Sequence, residues 1–448
     1  MDIRAFQQAA AEAAQALGIA DYELYYAGVE ATQVSTFQQE INEFSSAVEG
    51  GVCFRCIVDG KMGYASTEDL SPEAAAEVVR RAADNAAALE TDEPVFLGEG
   101  GQRYEPVTQP DPGMPDAETL RARALEAQAA LYAAHPSVVD GCSAGTVGQR
   151  LELAISNSRG LDLRYERSLT ALILNAVVEE GAEKEDSFKI QVGSLEEMNL
   201  TGLAAETVDK ARAKLGGEAA PTGVRPVIFS PGAMSSLLST FSPAFSSENA
   251  QKGLSRLQGR EGEQIASAAV TLVDDPFCPL SALPMPFDAE GTPTHKKDVV
   301  AAGRLETLLY NRKTAALAGR QTTGNASKAG YSAPVEVRPF TFYLAPGDIT
   351  EEALLEQMGD GVYINSLGGL HAGANVISGD FSLQSAGFLV EGGKKTKPVK
   401  SFTVAGNFFD LLGKVVALAD NLEVPNPTGI TAFGSPSVLV EALSIAGK

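Results

Sequence analysis

The chain has 448 residues, 44% hydrophobic and 21% charged, enough apolar material for a large core and too much for an intrinsically disordered chain. Lys and Arg number 35 against 58 Asp and Glu, a net charge of −23, and no basic tract occurs, which argues against a nucleic-acid partner. At roughly 150 residues per domain the length predicts about three structural units.

In chain order, Ile3, Phe6, Ala10, Ala13, Ala14 and Leu17 recur at helical spacing and Gly18 closes the run, predicting a helix over 2–17. This start lacks the basic opening and unbroken apolar core of a secretory signal, and no window reaches the roughly 18 apolar residues of a membrane span. The four cysteines, Cys53, Cys56, Cys142 and Cys278, are too few for a disulfide scaffold, so a cytoplasmic protein with reduced thiols and no membrane partner is expected. Asp21–Phe37 is rich in Tyr and Val. Gly51–Asp59, then Gly60 and Lys61–Thr67, predict a β-hairpin with a D-G turn. Cys53 and Cys56 form a C-x-x-C, but residues three apart on a strand face opposite ways, so they read as strand residues. Ser71-Pro72-Glu73 opens a second helix reaching about Leu89.

Residues 93–116 hold Pro94, Pro106, Pro110, Pro112 and Pro115 and read as a linker or surface-hugging crossover. A helix over Ala117–Ala134 follows. Strands are expected at Val138–Val147, Leu151–Ser156 and Leu161–Val178, the last two joined by the turn Asn157–Gly160, and then a helix near Leu203–Leu215. Residues 1–92 and 117–218 thus echo one another in architecture. Residues 219–448 change character: they are Gly-rich, with short strands and many turns. A helix is expected near Met234–Phe241, a strand pair in Pro334–Ala345, a helix at Glu351–Met358, and strands at Gly361–Asn365 and Ser401–Val404. The fold class is α+β: two small helix-and-strand units, then one large β-rich C-terminal domain.

No phosphate loop, dinucleotide fingerprint or G-x-S-x-G nucleophile elbow occurs. The three histidines, His135, His295 and His371, lie far apart in sequence. His135 reads as a helix-terminus residue and His295 as solvated. Asp274, Asp275, Asp288 and Glu290 flank Pro276 and Gly291 and read as turn chemistry rather than a cation site.

Several segments recur in fixed order: Ser255–Ser267, Asp274–Pro276, Phe287–Gly291, Gly303–Leu305, Thr323–Ala326, Leu370–Ser382, Gly387–Gly392, Val404–Phe408 and Leu443–Gly447. In that order and spacing the chain resembles, over essentially its whole length, the TldD/PmbA family, once called modulator of DNA gyrase and associated with metalloproteases that trim peptides. The resemblance implies a C-terminal domain whose first helix, in the catalytic TldD-like branch, carries H-E-x-x-x-H, with a late Cys as third zinc ligand. Here the corresponding stretch, Leu237–Phe245, reads LLSTFSPAF, with Pro243 set to break a helix, and Asn421–Lys448 holds no Cys. The resemblance therefore implies the PmbA/TldE-like branch. This chain would be a non-catalytic subunit with no catalytic residue and no metal of its own. Zinc would sit in a TldD-like partner of a heterodimer, and the substrate would be unfolded peptide. The alternative is a stand-alone homodimeric peptide- or protein-binding protein. A weaker third reading is an independent hydrolase using Asp274, Asp288, Glu290 and Asp380. Candidate peptide- or partner-binding residues are Glu248 and Asn249, just past the altered helix, and His371, Asn375, Asp380 and Ser382 in the Gly-rich 370–382 segment.

Overall fold

The computed structural model describes residues 3–447. Its first unit runs helix α1 (Ile3–Ala16), strands β1 (Asp21–Phe37), β2 (Glu40–Val58) and β3 (Lys61–Thr67), then helix α2 (Pro72–Ala88). The second repeats that order with α3 (Ala117–Ala134), β4 (Ser143–Asn157), β5 (Asp162–Glu180), β6 (Glu183–Val192) and α4 (Leu200–Arg212). Local chemistry sets these limits. The Ser71, Asp116 and Asn199 side chains each accept the N–H three residues on, capping α2, α3 and α4. Asp59 and Gly60, both at positive φ, make the two-residue turn between β2 and β3.

The two units share one sheet. Its order is β3-β2-β1-β4-β5-β6, and β1 and β4 pair antiparallel from Glu23–Asn157 to Ser35–Gly145. All four helices lie on one face. Phe6, Val78 and Val79 pack with Leu24, Phe54 and Cys56, while Leu120, Leu131 and Val208 pack with Val34, Leu172 and Leu174. The opposite face, through Tyr25, Leu153, Ile155 and Tyr165, meets Leu283, Met285, Phe287 and Phe340 of the C-terminal domain. Alternation along the strands thus sorts one sheet between two cores. Cys56 lies under the helices and Cys53 points the other way. Burial pushes the Cys56 thiol up to about 11, which keeps it protonated.

The crossover is irregular over residues 89–116 and runs between the sheet and the C-terminal domain. Arg167 on β5 donates to the carbonyls of Gln109 and Pro110 at 2.8 and 2.7 Å, and the Gln109 amide donates to the Phe277 carbonyl at 2.8 Å.

Two strand expectations differ from the structure, and a third strand was not anticipated. Val138–Val147 and Leu151–Ser156 are not two strands: β4 runs unbroken through Gly148, which pairs with Thr32 of β1 and Thr170 of β5. β2 begins eleven residues before Gly51, because Gln38 and Gln39 both adopt positive φ and close a hairpin without glycine. β6 is present despite its charged sequence, at the sheet edge where those charges reach solvent.

In the C-terminal domain the strands Val438–Ala446, Gly223–Phe229, Gly361–Gly368, Asp380–Glu391 and Lys394–Asn407 pair in succession, and the last pairs back onto the first, closing a five-stranded barrel. A separate five-stranded sheet includes Leu272–Asp274, Thr341–Leu344 and Ala432–Gly434. Helix α5 (Pro231–Phe241) packs against both, and its Phe241 stacks on Phe408 at 4.6 Å between ring centres. No helix among the described residues is long and apolar enough to cross a membrane.

Candidate functional site

Helix α5 starts at Ser230, whose hydroxyl accepts the Ala233 N–H, with Pro231 in the first turn. It ends at Phe241. Pro243 has no N–H to continue the ladder, so the chain tightens into a 3₁₀ turn, Ser242–Phe245, before the short helix α6 (Ser247–Gln251). Leu237, Leu238, Phe241, Ala244 and Phe245 are all fully buried. The Ser236 and Thr240 hydroxyls donate to carbonyls four residues back, at 2.9 Å each. The segment's apolar side chains are spent on packing, and the Ser236 and Thr240 hydroxyls on the helix itself.

Beside this helix–turn–helix lies a cleft of about 550 Å³. Ser239, Ser242, Ser246, Glu248 and Asn249 form one wall. Glu336–Pro339, Thr431 and Phe433 form the other, with Leu309 between. Its charges are paired locally: Glu248 with Lys252 at 2.7 Å, and Glu336 with Arg338 at 2.8 Å. The Asn249 amide donates to the Pro243 carbonyl at 2.9 Å. The lining is thus charge-balanced, rich in hydroxyls and flanked by apolar side chains. Such a surface can hydrogen-bond a peptide main chain, but it presents no imidazole or thiolate for proton transfer or nucleophilic attack.

The six sequence candidates fall in two places. Glu248 and Asn249 line this cleft. Asn375, Asp380 and Ser382 border a separate, broad and open depression, and His371 stands exposed on the short helix Leu370–Gly373 outside its lining. The Asn375 side chain accepts the N–H groups of Ile377 and Ser378 at 3.0 Å each. Asp380 accepts from Asn407 and from the Ser378 hydroxyl, both at 2.8 Å, and these bonds hold its carboxyl below the usual range. Both side chains shape their own turn. The His135 ring accepts the Ser137 N–H at 3.1 Å, so it braces the following residues rather than the last carbonyls of α3.

The acidic turn residues prove to be buried. Asp274 takes Lys297 at 3.0 Å, Asn325 at 2.7 Å and the Phe340 N–H at 2.7 Å. Asp288 accepts the N–H groups of Glu290, Thr292 and Ala326. Glu290 accepts the Arg312 N–H at 2.9 Å and lies in the electrostatic reach of Arg55, itself paired with Glu23 at 2.6 Å. Burial pushes Glu290 up to about 7; Arg55 opposes this, while Asp288 and Glu23 add to it. This ionic cluster joins β1 and β2 to the C-terminal domain. Sequence reasoning missed it because its partners lie more than 200 residues apart. The far wall of the cleft was missed because Glu336–Pro339, Thr431 and Phe433 lie far in sequence from the helices they face.

Taken together, the structure defines an α+β protein: a helix-backed antiparallel sheet docked on a barrel domain, with a polar cleft beside the barrel domain's first helix. Residues 22–86, 110–215 and 222–447 match, in turn, the family descriptions PmbA/TldA metallopeptidase domain 1, central domain and C-terminal domain. The chain belongs to the PmbA/TldD family. It is 25% identical over 425 residues to metalloprotease PmbA of Escherichia coli O157:H7, covering 93% of this chain and 90% of that one. A Thermotoga maritima crystal structure described as a candidate modulator of a DNA gyrase superposes with TM-score 0.89 at 29% identity, covering 99% and 100% of the two chains. TldE from Thermococcus kodakarensis superposes with TM-score 0.89 at 25% identity, covering 98% and 100%.

The family name implies a metal. A zinc peptidase centre takes three protein ligands and an open position. The cleft offers two carboxylates, each already paired with a cation, and hydroxyls. Among the described residues no group of three or more His, Cys, Asp or Glu side chains is placed to hold a metal ion. This donor set does not fit a zinc centre.

Proposed function

We propose that this chain is the non-catalytic subunit of a TldD-type zinc metalloprotease that processes peptides, with the zinc supplied by a TldD-like partner. The observation that carries this reading is the Leu237–Phe245 segment. In a metallopeptidase family, the segment expected to bear the ligands here carries only Leu, Phe, Ala, Pro, Ser and Thr, and its helix ends before Pro243. The chain's own contribution is to hold substrate. An extended peptide can satisfy its main-chain groups on the cleft's hydroxyls and on the strand Glu336–Val337. The cleft's internally paired charges suit an uncharged backbone better than a charged ligand. The four cysteines are unpaired and buried, which supports a reducing, cytoplasmic setting.

The test is co-expression with a TldD-like chain. This chain alone should retain less than about a tenth of a zinc ion after dialysis and cleave no peptide. The two together should form a stable complex that degrades unfolded peptide faster than the partner alone. Equal activity from the partner alone overturns the subunit role. A full zinc equivalent on this chain, with peptidase activity of its own, overturns the assignment as non-catalytic.

A further inference from the structure

The N-terminal sheet has one long side without a neighbour. β2 spans 19 residues, but β3 pairs only with Val52–Val58. Past a bulge at Asn42, β2 pairs without interruption with β1 on its inner side over Glu43–Glu49, and among the described residues no strand pairs with it there on the outer side. All seven of these residues are exposed, and Val48 is 81% exposed. Short length, a bulge, proline or lysine usually blunts such an edge. Here the run is regular, holds neither proline nor lysine, and carries its only charges at its two ends, Glu43 and Glu49. Between them Phe44, Ser46 and Val48 lie on the helix-bearing face. The Arg121 guanidinium sits 4.2 Å from the Phe44 ring and braces it. Glu43 and Glu49 share the opposite face, about 20 Å apart at the strand rise.

We propose that this outer edge of β2 docks an extended segment of a partner protein as an added strand, collinear with β3. That segment carries Lys or Arg opposite Glu43 and Glu49 and aliphatic residues opposite Phe44 and Val48. Strand addition supplies affinity through the open main-chain groups, and the terminal charges set specificity and register. A second copy is the poorer fit. The antiparallel self-pairing that brings Phe44 against Val48 sets Glu43 against Glu49 twice, in a chain of net charge −23. This site is separate from the cleft and does not depend on the peptidase reading.

The experiment uses the full chain and two labelled heptapeptides, Lys-Val-Thr-Ser-Thr-Val-Lys and its Glu-for-Lys counterpart. Fluorescence anisotropy at low salt gives affinity, and backbone amide exchange locates binding. The basic peptide should bind at least about tenfold tighter than the acidic one and slow exchange across Glu43–Glu49. The double variant E43K/E49K should reverse the preference, with an unchanged melting temperature to show that it folds. Equal binding of both peptides, or binding that leaves these amides unprotected, overturns the proposal. Concentration-dependent self-association that protects the same amides also overturns it, in favour of a second copy.

Discussion

Glu290→Gln should stabilise this protein at alkaline pH and do little in acid. The carboxyl is buried at the junction between β1–β2 and the C-terminal domain, and burial raises it from an ordinary 4.5 to about 7. In the unfolded chain it titrates at its ordinary value. Between those two values the folded state binds the extra proton, so stability falls as pH rises through the window. Below about pH 4.5 both states are protonated and no penalty is felt. Above about pH 7 the whole penalty stands, on the order of 3 kcal/mol at about 1.4 kcal/mol per pH unit. Gln has the same shape, and its oxygen can still accept the Arg312 N–H. Its amide can donate toward Asp288 or Glu23 and never ionises. Thermal melts of wild type and Glu290→Gln should therefore diverge from about pH 5 to pH 8, with the variant higher at pH 8. Exchange of the Arg312 amide supplies the local readout. A difference that is the same at every pH, or that grows toward acid, would refute the reasoning and show that Arg55 holds Glu290 ionised.

Lys297→Met leaves Asp274 fully buried without its cation and should cost about 3–5 kcal/mol in urea unfolding. Gly63→Ala on β3 drives a Cβ into the Ala82 carbonyl and the Ala86 amide nitrogen of α2, so it should cost about 3 kcal/mol, whereas Gly60→Asn at the turn should be tolerated. Phe241→Ala empties a stacked, fully buried site and should cost about 3–5 kcal/mol by calorimetry. Ser239→Trp, on the exposed side of α5, should fill the cleft and cut peptide processing by the assembled complex about tenfold or more while leaving the melting temperature within a few degrees.

Helices were legible wherever a cap and an apolar stripe coincided, as at Ser71 and at Ile3, Phe6 and Ala10. The hairpin at Asp59-Gly60 was legible because few residue types favour positive φ. The turn at Gln38-Gln39 was not, since glutamine gives no such signal and tertiary pairing imposes the geometry. Gly148 misled in the opposite direction: it sits inside a continuous strand, paired with Thr32 and Thr170 on its two sides, and makes no break. At the site, the altered helix and its neighbours Glu248 and Asn249 could be read locally. The opposing wall, Glu336–Pro339 and Thr431–Phe433, comes from segments that only the folded sheets bring near. The acidic turns were recognised as turns, but their burial depended on partners such as Arg55 that sequence spacing does not reveal.

The pairing of β1 with β4 also has a consequence for the chain as it is being made. Glu23 meets Asn157 and Ser35 meets Gly145, so each contact spans more than 100 residues. At about 5–20 residues per second, roughly 5–25 seconds of synthesis separate the emergence of β1 from that of its second neighbour. During that interval the first unit can form its own three strands and two helices, yet one long side of β1 stays open. A nascent chain halted in the crossover would present that side to the cell, making this the stage at which the protein most needs a chaperone.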